Sequence, residues 1–176
     1  TFARYLVWNV KTTKHNNMNI SYNWLKEYVD FTLTPDEVAA ALTSIGLETG
    51  RGEEVQTIKG GLEGIVIGEV LTCEPHPNSD HMHVTTVNLG EGDPVQIVCG
   101  AANVAAGQKV VVATLGTKLY DGDECFTIKK SKLRGVESNG MICAEDEIGI
   151  GTSHDGIIVL PADAVPGTLA KDYYNI

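Results

Sequence analysis

Five short apolar runs with the period of β-strands limit what this chain can fold into more than any other feature of its sequence. Glycine, proline, asparagine and aspartate separate the runs, as is usual in turns. Several runs are apolar on both faces, and five strands in about 70 residues suit a small closed Greek-key barrel. The pattern favours this barrel over an open sandwich, and the sandwich stays an alternative. The runs cover 65–73, 83–89, 95–99, 109–115 and 125–134.

Two helices are predicted upstream of the strands. Residues 21–29 carry a single apolar face at helical spacing. The second helix begins at Thr34, which can cap it, with Pro35 at the first helical position and Glu37 completing a capping box. Gly46 suits its C-terminal end, after a predicted buried stripe of Val38, Ala41, Leu42 and Ile45. Because two short helices cannot bury both their faces alone, we expect a partner sheet and an α+β fold.

The two ends of the chain show weaker patterns. Residues 1–17 finish in a polar run before Met18, and we interpret Met18 as the natural start and 1–17 as an extension without function. The alternating residues within that extension would still suit an edge strand. At the other end we predict a helical turn at 144–148, a strand at 156–161 and the start of a helix at 166–170.

Composition points to an ordinary soluble globular protein, with 43% hydrophobic and 20% charged residues. No apolar run approaches the roughly 20 residues of a membrane span, so we expect no membrane partner. The four cysteines are widely spaced without a C-x-x-C pair, which favours reduced thiols in the cytoplasm over a zinc site or a disulfide framework. A formal net charge of −10 excludes general nucleic-acid binding by the whole surface, so an anion site must be a local patch.

Such a patch is present in the last predicted strand. Residues 128–134 hold four of the chain's 13 lysines and arginines, namely Lys129, Lys130, Lys132 and Arg134. At strand spacing, the last three would share one face. Ile128 and Leu133 have opposite parity, so both can point inward only if one residue is skipped between them. We therefore predict a bulge or strand break near residues 129–131.

Longer stretches of the chain resemble a known family. They include SYNWLKEYVDF, IVIGEVLTCEPHPNSDHMHVTTVNLG, IVCGAANVAAGQKVVVA and IKKSKLRGVESNGMICAEDEIGI. The chain resembles the N-terminal part of bacterial phenylalanyl-tRNA synthetase beta subunits, and its centre resembles the EMAP-II-like tRNA-binding domains. The resemblance implies a five-stranded OB-fold barrel over 58–156, inserted into a small discontinuous α+β domain made of 18–57 plus 157–176.

The same resemblance implies a role in translation. We expect a tRNA-binding and structural module whose partners are tRNA, the synthetase alpha subunit and the remainder of the beta subunit, with no DNA partner. ATP and Mg²⁺ belong to the complete synthetase, and we expect no cofactor, metal or catalytic residue in this stretch. Two alternatives stay open: a protein-docking module with little tRNA contact, and a stand-alone EMAP-II-like tRNA-binding protein.

Seven residues are candidates for contact with the nucleic acid: Lys129, Lys130, Lys132, Arg134, Ser138, Asn103 and His76. The cationic side chains can contact successive phosphates, although a solvated edge strand carries the same charges. Ser138 can contact a phosphate or fix its loop, and Asn103 can contact RNA or hold its own turn. His76, His81 and His83 lack the fixed geometry of a metal site, and a structural turn is the favoured interpretation for His76.

Overall fold

The computed structural model describes residues 4–11, 17–50, 52–56, 58–122 and 124–176. The chain divides into two compact units, residues 1–57 and 58–176, which are called unit 1 and unit 2 below. The fold is mixed α+β, with antiparallel sheets and few helices. No helix in the described part of the chain is long and apolar enough to span a lipid bilayer.

Unit 1 is a small sheet with two helices. Its elements are β1 (Arg4–Lys11), β2 (Asn17–Ser21), α1 (Tyr22–Tyr28), α2 (Pro35–Ser44), β3 (Glu48–Thr49) and β4 (Glu53–Gln56). Strand β1 pairs with β2 on one side and with β3 and β4 on the other, and it buries Trp8 and Val10. Residues 4–11 therefore form a central strand, where the sequence suggested an edge strand. Residues 1–3 and 12–16 of the predicted extension lie outside the described residues.

The helix boundaries follow the capping signals in the sequence. Ser21 caps α1, and the capping box between Thr34 and Glu37 is present at the start of α2. At the end of α2 the N–H groups of Gly46 and Leu47 bond back to Thr43 and Leu42, and Gly46 has a φ of 91°. This is the glycine-terminated helix end that the sequence predicts.

The predicted buried stripe of α2 is largely wrong. Of its four residues only Val38 is buried, and Ile45 is 73% exposed. Ile45 lies at the C-cap, one residue past the last helical position, so its side chain leaves the line of the helix face. The apolar spacing in the sequence continues past the end of α2, whereas the helical conformation of the backbone stops there.

Unit 2 is built around an antiparallel sheet. After a short 3₁₀ turn at Lys59–Leu62, its elements are β5 (Ile65–Pro75), β6 (His83–Asn88), β7 (Val95–Cys99), β8 (Lys109–Ala113), β9 (Lys118–Asp121), β10 (Glu124–Thr127), β11 (Ser131–Leu133), β12 (Val136–Ser138), β13 (Met141–Ile142), α3 (Glu145–Ile148), β14 (Val159–Leu160) and α4 (Ala170–Tyr173). The sheet order is β13-β8-β5-β6-β7, and β9–β10 and β11–β12 form separate hairpins.

The two ends of this sheet are joined by a few hydrogen bonds. The Asn139 N–H donates to the Gln96 carbonyl at 2.9 Å, and the Val98 N–H donates to Ser138 Oγ at 3.1 Å. Gln96 Nε2 also donates to the Glu137 carbonyl at 2.7 Å. These bonds connect the outer edge of β7 to the chain around β12, but the strand ladder is not closed into a continuous barrel.

The predicted break in the basic strand is confirmed. Strand β10 ends at Thr127 and β11 begins at Ser131. Between them Ile128 is buried, and its backbone exchanges hydrogen bonds of 2.8 Å with Gly116 and Thr117. The prediction that Leu133 points inward is wrong, since Leu133 is 40% exposed. Because of this break, β11 and β12 form a hairpin whose pairing register is independent of strand β10.

Residues 157–176 pack within unit 2. Strand β14 pairs with β8 beside β13, and Ile157, Ala164 and Ala170 are buried in the cores of this unit. The backbone of Ile67 on β5 also bonds to Gly167 and Thr168 at 2.8 Å. The returning strand is thus paired with a strand of the central sheet. The discontinuous domain stays a prediction.

Candidate nucleic-acid interface

A groove of about 610 Å³ lies on the surface of unit 2. Its walls come from the end of β7 and the following loop (98–102), the segment around β11 (127–133), the chain through β13 (138–144) and the loop before β14 (154–157). Two of the seven candidate residues, Lys129 and Ser138, contribute to its lining. One wall includes the break at 128–130 and residues of the following strand β11.

Three exposed lysines form a basic ridge along this hairpin: Lys129, Lys130 and Lys132. Lys130 Nζ lies 2.9 Å from Glu137 Oε2, and Lys132 lies directly opposite Glu137 in the β11–β12 register. The hydrogen bond and charge of Lys130, with a further contribution from Lys132, lower the pKa of the Glu137 carboxyl. Since both side chains of this ion pair are exposed, it contributes little to stability and leaves Lys130 free to exchange Glu137 for a phosphate.

Arg134 is held apart from the ridge. It occupies the turn of the β11–β12 hairpin with a φ of 43°, followed by Gly135 at 95°. Its Nη1 donates to the Asn78 carbonyl at 3.2 Å, and Asn78 Nδ2 donates to the Arg134 carbonyl at 3.0 Å. The predicted alignment of Arg134 with Lys130 and Lys132 is therefore replaced by a reciprocal contact with the loop that contains Asn78.

His76 has a structural role. The side chain is 4% exposed, Nδ1 accepts a hydrogen bond from the Asn78 N–H at 3.0 Å, and Nε2 lies 3.1 Å from the Leu133 carbonyl. Because Nδ1 accepts, the network assigns the ring proton to Nε2, which donates to Leu133. Both nitrogens are occupied, and His76 fastens the hairpin to the 76–81 loop. The nucleic-acid contact of His76 stays a prediction.

Ser138 has a structural role. It is 2% exposed, accepts a hydrogen bond from the Val98 N–H and donates one to the Gly140 carbonyl at 3.1 Å. Its hydroxyl therefore joins β7 to β12, and its contact with nucleic acid stays a prediction. The backbone of Val98 would lose its acceptor without this hydroxyl.

Asn103 bonds both ways to the main chain of Ile157. Its Nδ2 donates to the Ile157 carbonyl and its Oδ1 accepts from the Ile157 N–H, each at 3.0 Å. The side-chain amide thus makes the same pair of hydrogen bonds to Ile157 that a residue on a neighbouring β-strand would make. The side-chain amide holds the 154–157 loop against the end of β7. Its contact with RNA stays a prediction.

Cysteine, histidine and acidic side chains are the other reactive groups that line the groove. Among the described residues, no group of three or more histidine, cysteine or acidic side chains is arranged to hold a metal ion. All four cysteines are free, and burial raises the pKa of the Cys143 thiol to about 12. Burial likewise raises the pKa of the Cys99 thiol. Both thiols are therefore protonated and poorly nucleophilic at neutral pH.

One charged pair at the groove was missed by sequence reasoning. His154 lines the groove, and its Nδ1 lies 2.8 Å from Asp146 Oδ2 in the first turn of α3. The hydrogen bond to Asp146 and the charge of that carboxylate raise the pKa of the His154 imidazole. The only signal in the sequence is an acidic helix start eight residues before a histidine, which is too common to be informative.

We expect Asp146→Asn to return the pKa of His154 towards its ordinary value. In the native protein the folded pKa is raised, so the pair stabilises the fold at pH values below the unfolded pKa. That contribution disappears as the pH rises through the folded pKa. NMR titration of the His154 ring protons measures the shift. Asp155→Asn is the control and should have a smaller effect, because Asp155 acts only through its more distant charge. An unchanged titration in Asp146→Asn would contradict the assignment.

Comparison with known proteins identifies the family to which unit 2 is similar. Residues 65–169 match the family model described as a putative tRNA binding domain. The phenylalanine–tRNA ligase beta subunit of Bacteroides thetaiotaomicron is 89% identical over 159 residues, which cover 90% of this chain and 19% of the relative. The beta subunit from Porphyromonas gingivalis is 68% identical over the same coverage.

Among solved structures, a MetRS-related protein from Pyrococcus horikoshii matches 59% of this chain and 85% of its own, with a TM-score of 0.43 and 21% identity. The chain spans only 19% of the length of the curated relatives named above. The family model nevertheless covers the whole sheet of unit 2 and the groove with it. The chain therefore belongs to the putative tRNA-binding domain family, in the form found in phenylalanine–tRNA ligase beta subunits.

Proposed function

We propose that this chain binds tRNA through the basic ridge and the adjoining groove, as an auxiliary module of a phenylalanine–tRNA ligase beta subunit. One observation carries the proposal: Lys129, Lys130 and Lys132 are all exposed within four residues, and Lys129 lines a groove, inside the stretch that matches the tRNA-binding family. In this proposal the alpha subunit and the remainder of the beta subunit are its protein partners in the cytoplasm. ATP and Mg²⁺ act elsewhere in the synthetase.

We also infer that unit 2 is an OB-fold barrel. The support comes from strands β5, β6, β7, β8 and β13, which follow one another in a single antiparallel sheet. The hydrogen bonds of Asn139 and Ser138 to β7 lie where barrel closure would require them. OB-folds bind single-stranded nucleic acids across a strand face and its loops, which agrees with a groove beside β7.

Charge limits the strength of this binding. The whole chain carries a formal charge of −10, which repels RNA at a distance, and the ridge supplies only three cations. Phosphate contacts release counterions, so affinity should fall steeply as salt rises. We therefore expect weak binding by the isolated chain and stronger binding where the rest of a synthetase adds contacts.

The test is a salt titration of labelled tRNA against the wild type and Lys129/Lys130/Lys132→Ala. If the three lysines contact three phosphates, the slope of log affinity against log salt should become shallower by about 2 to 3. Affinity at low salt should fall at least roughly tenfold. Lys26/Lys118/Lys171→Ala changes the net charge equally and lies outside the ridge, so its slope should match the wild type. Identical slopes for the ridge variant and the wild type would refute the proposal.

A second function, protein docking, is favoured by the exposed apolar side chains of unit 1. Trp24 and Tyr28 on α1 form an edge-to-face pair with ring centroids 4.8 Å apart, and both are exposed. Val29, Leu33 and Ile45 in the same unit are exposed as well. Exposed aromatic residues are common at protein interfaces. If the ridge variant binds tRNA as the wild type does, docking becomes the better account of this chain.

A further inference from the structure

We propose that Glu137 limits the affinity of the basic ridge for RNA, because its carboxylate competes with RNA phosphates for Lys130. Glu137 lies on β12 and does not line the groove, and no signal in the sequence marked it as part of the site. This inference rests on the proposed function and adds to it a residue that sets how tightly the ridge binds.

The β11–β12 hairpin carries different side chains on its two faces. Alternate residues from 129 to 133 line the groove, namely Lys129, Ser131 and Leu133. Lys132 lies directly opposite Glu137 in the hairpin register, and residues directly opposite each other project from the same face. Lys130 Nζ reaches the same carboxylate at 2.9 Å. Two of the three ridge lysines therefore share a face with a carboxylate, outside the groove.

The main chain fixes Glu137 in this position. Its carbonyl accepts a hydrogen bond from Gln96 Nε2 at 2.7 Å. The next residue, Ser138, is 2% exposed and accepts a hydrogen bond from the Val98 N–H. Only the side chain of Glu137 can therefore move away from Lys130. A group tethered this closely has a high effective concentration at its partner, so a phosphate from solution competes with it at a disadvantage.

The charge of Glu137 opposes RNA at both of the lysines on its face. The hydrogen bond and charge of Lys130 lower the pKa of the Glu137 carboxyl, with a further contribution from Lys132, so the carboxyl is ionised at neutral pH. It neutralises Lys130 while the ridge is empty and repels a phosphate that approaches Lys132. The side chains of Lys130 and Glu137 are 57% and 55% exposed, so water and salt screen the effect. We therefore expect a modest change in affinity when the carboxylate is removed.

Glu137→Gln is the direct test, because glutamine keeps the length of the side chain and removes its charge. Labelled tRNA is titrated at low salt against the full 176-residue chain in both forms. We expect the variant to bind about two- to fivefold more tightly, as suits the loss of one exposed charge pair. Its slope of log affinity against log salt should be steeper by up to about 1, since Lys130 then exchanges a counterion for the phosphate. The two affinities should converge at high salt.

Two further backgrounds separate a local effect from a change in net charge. Glu91→Gln removes the same charge from an exposed position in the turn after β6, outside the ridge, and should bind tRNA nearly as the wild type does. Lys130→Ala removes the partner of Glu137. In that background, Glu137→Gln should give a smaller gain in affinity than it gives in the wild type. An equal gain would show that Glu137 acts through net charge alone and would overturn the inference.

A measurement without RNA checks the ion pair itself. In Lys130→Ala the pKa of the Glu137 carboxyl should rise towards its ordinary value, which carbon-13 NMR of the side chain follows as the pH is changed. Thermal unfolding should show that Glu137→Gln stays folded, because both side chains of the pair are exposed. A Glu137 pKa that does not respond to Lys130→Ala would contradict the contact on which the inference depends.

The outcomes separate this inference from the proposed function. If the ridge variant weakens tRNA binding and Glu137→Gln binds as the wild type does, this inference is wrong and the proposed function stands. If Glu137→Gln binds more weakly than the wild type, Glu137 positions Lys130 for the phosphate, which also overturns the inference. If neither the wild type nor Glu137→Gln binds tRNA, both proposals fail together.

Discussion

We expect His76→Ala to lower the free energy of unfolding of unit 2 by about 3 kcal/mol and to weaken RNA binding, although it removes no ridge cation. His76 is the buried link between the 76–81 loop and the β11–β12 hairpin. Its loss leaves the Asn78 N–H and the Leu133 carbonyl without their partner and opens a cavity beneath the hairpin. Urea unfolding measures the first effect, and tRNA titration measures the second.

Two conservative variants test the two hydrogen bonds of His76 separately. Asparagine places an acceptor near the position of Nδ1, so His76→Asn can keep the bond from the Asn78 N–H and lose the one to Leu133. Glutamine reaches the position of Nε2, so His76→Gln can keep the bond to the Leu133 carbonyl and lose the other. If His76 positions the ridge through Leu133, His76→Gln should retain more RNA affinity than His76→Asn at equal stability.

The matched control for His76 is His81→Ala. His81 belongs to the same loop, but its side chain is 63% exposed and contacts the exposed Asp80. Its removal should change stability by no more than about 0.5 kcal/mol. Equal losses at His76 and His81 would show that the loop, and not the buried ring, sets stability. A His76→Ala protein with wild-type stability would contradict the proposed link outright.

The strands of unit 2 were the most predictable part of the fold. Period, turn residues and parity are local properties, and they placed β5, β6, β7 and β8 to within two residues at each end and found the break before β11. The capping residues of α1 and α2 were visible for the same reason. In each of these elements the conformation is determined by residues close together in sequence.

Strand β13 could not be predicted in this way, and β14 was predicted only as part of a longer strand at 156–161. Strands β13 and β14 have two residues each, so neither shows a period. They exist because both pair with the same edge of β8, whose residues lie 28 to 51 positions away along the chain. The sequence interpretation of residues 157–176 relied on family resemblance and assigned them to another domain.

The candidate site was half predictable. Formal charge along a strand shows where cations gather in the sequence, and Lys129, Lys130 and Lys132 are all exposed. The hydrogen-bond partners of the other candidate residues could not be predicted from the sequence. His76, Ser138 and Asn103 are all residues that hold turns or main chain as readily as they contact ligands. Their partners, Leu133, Val98 and Ile157, lie 57, 40 and 54 residues away in sequence.

We expect removal of residues 157–176 to prevent unit 2 from folding. The segment supplies β14 to the edge of β8, buries Ile157, Ala164 and Ala170, and bonds to Ile67 through Gly167 and Thr168. Loss of these contacts should exceed the roughly 5–15 kcal/mol that stabilises a typical domain. The NMR amide spectrum of residues 1–156 should therefore lack dispersed signals from β5, β6, β7 and β8. A discontinuous domain would leave those strands intact.

Point variants in the same segment make the test quantitative. Ile157→Ala removes a buried side chain beside the Asn103 contact and should cost about 2–4 kcal/mol. Val165→Ser lies in the same segment but changes a side chain that is 64% exposed, so it should cost no more than about 0.5 kcal/mol. If Ile157→Ala is as stable as Val165→Ser, the segment is not part of the core of unit 2. The groove would then lose its 154–157 wall as a fixed element, because Asn103 holds that wall only through the main chain of Ile157.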